Sequence, residues 1–87
     1  MITATILARI GEAVLLDARA SVLRQRFPDL HFTECSEDDV SPRYQPAFTV
    51  DGYDLYLVSG ASGHCLEFTA EHDAATGVLI AAKVDDA

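Results

Sequence analysis

The apolar residues change period at Phe27-Pro28, and that switch restricts the chain to a helical part followed by a sheet part. Upstream, Ile6, Leu7, Ile10 and Val14 recur at helical spacing, with Thr3 or Thr5 available as N-cap. Gly11 weakens that pattern and predicts a first helix that is short or ends near it. Asp17 is then the expected cap of a second helix, with Leu16 as the staple residue before it. The apolar stripe of this helix is Ala20, Leu23 and Phe27. Pro28 stops it, because proline lacks an N–H and disfavours helical geometry in the residue before it.

Downstream the period is 2. Leu30 and Phe32 alternate with His31, Thr33 and Cys35, which predicts a strand. An acidic loop with Glu34, Glu37, Asp38 and Asp39 follows, closing at Ser41-Pro42. Asp51-Gly52 joins Ala47–Val50 to Tyr53–Val58, the signature of a two-residue hairpin turn with positive φ at both central positions. Ser59 to Gly63 reads as a longer turn, and His64–Thr69 as another strand. Glu71–Gly77 reads as one helical turn or a tight loop, with Asp73 as cap and Gly77 as stop. A last strand is expected over Val78–Val84, with Lys83 toward water.

Together these elements predict a single α+β domain over residues 1–87. Two N-terminal helices (1–28) pack on one face of a four- to five-stranded, mainly antiparallel sheet (29–87). Strict alternation places Phe32, Leu55, Leu57, Leu66, Phe68 and Ile80 on the helix side. It leaves His31, Thr33, Cys35, Tyr56, Cys65 and Glu67 on an uncovered face. An uncovered face of this kind also predicts a homodimer formed through it.

Charge follows the same division. Residues 1–28 hold four bases and two acids, and residues 29–87 hold two bases and twelve acids, within a total of −8. Such acidity excludes a generic nucleic-acid binder, whose phosphate contacts need excess Lys and Arg. No apolar run is long enough to cross a membrane, and the N-terminus lacks a signal-peptide pattern. Two cysteines are too few for a disulfide scaffold, so a cytoplasmic location with reduced thiols is expected.

Four residues have the chemistry of soft-metal ligands: His31, Cys35, His64 and Cys65. A tetrahedral Zn or Fe site needs that number and type of donors. Against it, no CxxC pair is present, and consecutive His64 and Cys65 point to opposite faces of a strand. The acidic loop lacks the glycine and terminal glutamate of a calcium loop. Ser59 and Ser62 sit in no nucleophile elbow, and the glycines beside them precede no helix. No carboxylate pair is positioned for acid–base work. What remains is a docking surface: Glu37, Asp38 and Asp39 with Tyr56, and a basic helix face carrying Arg19, Arg24 and Arg26.

Several segments are similar to a small bacterial family. They are Phe27–Thr33, Cys35 with Glu37–Val40, Gly52–Val58, Gly63–Leu66 and Ala74–Leu79. The chain thereby resembles, over about residues 20–84, a domain of unknown function encoded among nitrogen-fixation genes of diazotrophic proteobacteria. It departs from that pattern at Glu37, where members often carry Asp, and Ser59 to Gly63 is variable. The resemblance implies an accessory role in the cytoplasm. Its partner would be a nitrogenase or nitrogenase-assembly component. The expected function is therefore a non-enzymatic interaction protein with no cofactor, acting on neither nucleic acid nor membrane. The alternatives are a protein that handles a metal or cluster (Fe or Zn) through those His and Cys residues, and an acidic inhibitor that mimics nucleic acid.

Overall fold

The computed structural model describes residues 2–41, 43–59 and 67–83. Helix α1 spans Ala4–Leu16, and the Thr3 hydroxyl accepts the Ile6 N–H at 3.1 Å to cap it. It runs through Gly11 rather than ending there. Gly11 is buried, and a Cβ on it would lie 2.6 Å from Cε2 of Phe48. The glycine that lowers helix propensity is what lets this helix lie close against the sheet. The helix ends at Asp17, whose backbone turns extended.

Helix α2 is Ala20–Arg26, one residue short of Phe27-Pro28, as the proline dictates. Its cap differs from expectation. Asp17 lies too far upstream to reach the first free amides and instead accepts the backbone N–H and guanidinium of Arg19. The Ala20 N–H donates to the Glu34 carboxylate, which reaches over from the sheet at 3.0 Å. Leu16 is no staple, because it is 75% exposed.

The strands are β1 His31–Ser36, β2 Phe48–Val50, β3 Tyr53–Ser59, β4 Glu67–Phe68 and β5 Gly77–Ala82. They form a five-stranded mixed sheet in the order β1-β5-β3-β2, with β4 also paired to β3. Because β5 lines one edge of β3 from Tyr53 to Val58, β2 and β4 share the other edge. Three pairings are antiparallel and one, β1 with β5, is parallel. The fold is therefore the expected α+β class, with both helices N-terminal.

Two local readings change. In the hairpin turn only Gly52 adopts positive φ, at 89°, so Asp51 keeps an ordinary conformation. Gly77 is not a helix stop but the first residue of β5. A Cβ on it would lie 2.5 Å from the His31 carbonyl oxygen, so this position must be bare for β1 and β5 to pair.

The main core lies between the helices and the sheet. Ile10, Leu23, Leu55 and Val78 are fully buried there, with Phe32, Leu57 and Ile80 nearly so. Ile2 belongs to it as well: its N–H donates to the His72 carbonyl, and its own carbonyl lies 2.7 Å from His72 Nδ1. A second cluster occupies the opposite face, where Val40, Tyr56 and Ala81 are buried and Cys35, Tyr44, Phe68 and Leu79 pack around them. The face expected to be uncovered is thus partly roofed by the segment after β1. Phe68 belongs to this face, not to the helix side. It pairs with Val58, whose side chain shares the face of Tyr56 two residues before it. The register places the β4 alternation one residue away from the expected one, the slip that inverts a strand's faces. Leu66, assigned to the helix side with Phe68, lies outside the described residues.

The two close approaches generate a prediction. Gly77→Ala meets main chain that cannot turn aside, and is expected to cost about 2 kcal/mol or more. Gly11→Ala meets the ring of half-buried Phe48, and about 1 kcal/mol of helix propensity offsets the clash. Its net effect is expected to stay within about 1 kcal/mol. Urea unfolding of the two variants checks the order.

Candidate functional site

The second face is built from alternate residues of β3 and β5 and from the segment that leaves β1. At the end of β1 the chain enters a 3-10 turn, Glu37–Asp39. Ser36 caps it: the serine hydroxyl accepts the Asp38 N–H, and the Asp39 carboxylate accepts the Ser36 N–H, each at 3.4 Å. Asp39 is therefore turned back onto its own turn, while Glu37 is half-buried and Asp38 exposed. Val40 then anchors the segment in the second cluster.

Beyond Val40 the chain brings Tyr44 onto Phe68, rings stacked with centroids 4.3 Å apart. Phe68 in turn meets Tyr56 edge-on at 5.4 Å. Each such pair adds roughly 0.5–1.5 kcal/mol beyond burial, so the roof is fixed to the sheet by its aromatic side chains. The Arg43 guanidinium lies 5.2 Å from the Tyr44 ring centre and donates to the tyrosine hydroxyl at 3.3 Å.

Two shallow grooves meet on this face. One, of about 490 Å³, runs past Arg43, Pro46, Phe68 and His72. The other, also about 490 Å³, is lined by Glu37, Asp38, Val40 and Ser41. Tyr44, Gln45 and Tyr56 line both. Burial, followed by the charges of Asp54 and Glu37, pushes the Tyr56 phenol above its ordinary pKa of 10.0. The Tyr56 hydroxyl is thus a neutral donor between a carboxylate-bearing rim and an aromatic floor. His72 contributes its ring to the first groove, and its Nδ1 carries the proton toward the Ile2 carbonyl, because a carbonyl oxygen only accepts.

Of the residues expected to bind a partner, the structure brings Glu37, Asp38 and Tyr56 to one surface and directs Asp39 into its own turn. The basic face is separate and partly engaged. Arg19 is held by Asp17 at 2.7 Å, and Arg24 donates to the Phe32 carbonyl on the outer edge of β1. Arg26 is exposed in the last turn of α2.

The metal-ligand set does not assemble from its described members. His31 and Cys35 share a face of β1, but four extended residues separate their Cα atoms by about 13 Å. Ligand bonds to Zn are only about 2.0–2.3 Å long. Among the described residues no three His, Cys, Asp or Glu side chains converge for a metal ion. His64 and Cys65 lie outside the described residues.

The sequence patterns give Arg43, Tyr44 and His72 no role, and they place Phe68 on the helix side rather than on this face. A usable signal was present: Arg43-Tyr44-Gln45 stands between Pro42 and Pro46, a stiffened aromatic segment beside an acidic turn.

Two titrations follow from these contacts. Burial, then the Asp39 charge, raises the Cys35 thiol above its ordinary pKa of 9.0. Cys35 is expected to alkylate more slowly at pH 8 than an unstructured thiol, read by mass spectrometry of its own peptide, and Asp39→Asn should quicken it. Hydrogen bonds from the Arg19 side chain and then its backbone N–H hold the Asp17 carboxyl at about 2 against an ordinary 3.8. Because the folded value is the lower one, the pair's stabilisation is present above about pH 3.8 and is lost as the pH falls toward 2. An NMR carboxyl titration should find Asp17 near 2, and Arg19→Gln should return it toward 3.8.

No curated protein and no solved structure matches the chain. Among the described residues no helix is long and apolar enough to cross a membrane. A family model does match, over residues 5–83, and so takes in α2, every strand described above and all of α1 but its first residue. The chain belongs to that family, the family of unknown function DUF6129.

Proposed function

We propose that this protein is a non-enzymatic interaction protein that docks a protein partner on the second face of its sheet. The observation that carries this reading is the meeting of two grooves at Tyr44 and Tyr56, one aromatic and one acidic. Tyrosine and phenylalanine give a large, stiff contact area at low entropic cost. Carboxylates beside them steer and orient an oppositely charged partner. The acids supporting docking are Glu37 and Asp38, with Asp39 holding the turn that presents them.

The reading names no reaction. The resemblance to a domain encoded among nitrogen-fixation genes supports a nitrogenase or nitrogenase-assembly component as the partner. It also supports the cytoplasm as the place of action.

Site-specific photo-crosslinking in cells tests the reading. Gln45 is exposed and lines both grooves, whereas Glu12 is exposed on α1, away from them. A crosslinking residue at position 45 should give a discrete adduct in cells fixing nitrogen, and one at position 12 should not. Asp38→Arg should abolish the adduct. Equal adducts from both positions, or none from position 45, would sink the reading.

A further inference from the structure

We propose that the joined grooves receive an extended segment of the partner that carries an arginine or lysine. That cation would lie on the Tyr44 ring, with Glu37 and Asp38 as counter-charges. The inference rests on the docking reading above and specifies the partner's chemistry.

Three observations lead to it. The exposed face of Tyr44 already accommodates a guanidinium, that of neighbouring Arg43, at 5.2 Å from the ring centre. A second cation of the same kind can replace it there, since the ring quadrupole attracts either. Next, Glu37 and Asp38 line the groove that Tyr44 also lines, and neither lies in an ion pair among the described residues. Finally, the chain's own cations are mostly engaged. Arg19 holds Asp17, Arg24 holds the Phe32 carbonyl, Lys83 lies 3.7 Å from Asp54, and Arg43 sits on Tyr44. Only Arg9 and Arg26 complete the six bases of a chain whose net charge is −8. A second copy is therefore a poor source of the cation, because two such chains repel. A basic segment from another protein matches the charge and the aromatic floor together.

Arg43 makes the proposal specific. As an internal stand-in it competes for the ring and repels the incoming charge. Its removal should strengthen binding rather than weaken it, the reverse of what an ordinary contact residue would do.

The test uses the full chain, labelled with ¹⁵N, and short blocked peptides that differ at one central position between apolar residues. That position carries arginine, lysine, citrulline or glutamate. The arginine and lysine peptides should shift the amides of Tyr44, Gln45, Tyr56 and Phe68. The citrulline peptide, which keeps the shape but not the charge, should bind about fivefold weaker or worse. The glutamate peptide should not bind. Glu37→Gln with Asp38→Asn, which removes both charges and keeps side-chain size, should lower affinity about fivefold. Tyr44→Leu should act alike, and Arg43→Gln should raise affinity.

Equal binding of citrulline and arginine peptides would overturn the proposal. So would shifts confined to α2, weaker binding by Arg43→Gln, or no binding by any peptide. Shifts of the same amides on concentrating the protein alone would assign the face to a second copy and overturn it too. An adduct at position 45 without peptide binding would leave docking standing and remove the cationic occupant. Peptide binding without an adduct would do the opposite.

Discussion

The parallel pairing of β1 with β5 is the contact on which the rest of the structure depends. It joins the segment that follows the helices to the last described strand, and β5 then pairs along its other edge with β3. Every other part of the sheet hangs from that axis. Its requirement is local and severe: the backbone at residue 77 must come so near the His31 carbonyl that no side chain fits. With Gly77 in place, Val78 and Ile80 point into the helix-side core and Leu79 and Ala81 into the cluster on the other side. One strand therefore organises both faces, which is why it reads as an almost unbroken apolar run.

This two-sided use of β3 and β5 ties the candidate site to the core. Tyr56 stands between Leu55 and Leu57, which are buried on the helix side. The aromatic floor of the grooves is thus part of a strand that cannot shift without disturbing the main core. The roof is held differently, by Val40 below and by the stacking of Tyr44 on Phe68. A rigid floor and a separately fastened roof give a preformed surface, which loses little ordering entropy on binding. The opposite arrangement protects β1. Its outer edge is an open strand edge, and there Arg24 occupies the Phe32 carbonyl while Asp39 occupies the Ser36 N–H. Side chains placed in this way blunt an edge against pairing with another sheet.

Much of this was legible in the sequence because it depends on local rules. The period switch at Phe27-Pro28, the hairpin at Asp51-Gly52 and the helix-side positions of Phe32, Leu55, Leu57 and Ile80 all follow from spacing and turn chemistry. What escaped depends on contacts between distant residues. Gly11 looks like a helix breaker until Phe48 is found against it. Glu34 looks like part of an acidic loop until its carboxylate is found capping α2. Phe68 looks like a core residue of the helix side, since an apolar side chain on a strand matches the core under the helices as well as any other apolar face. The second cluster supplies another apolar face, and only pairing with Val58 decides between them. Tyr44 was missed for the same reason: nothing near it in sequence says that it roofs the sheet.

The division of charge acquires a physical cause from these placements. Half of the bases in the first third are engaged by the fold, with Arg19 tied to Asp17 and Arg24 tied to β1. The acidic remainder is not. Among the described residues only Asp17 and Asp54 lie in ion pairs, and the acids of the 3-10 turn are bound to main chain or to nothing cationic. Carboxylates without a cationic partner add little to stability, and their mutual repulsion opposes the compact state. Folding energy therefore gives no account of why Glu37 and Asp38 should border an aromatic groove. The proposed recognition of a cation would, because the same two carboxylates that are idle in the isolated chain would become counter-charges to a basic side chain on Tyr44.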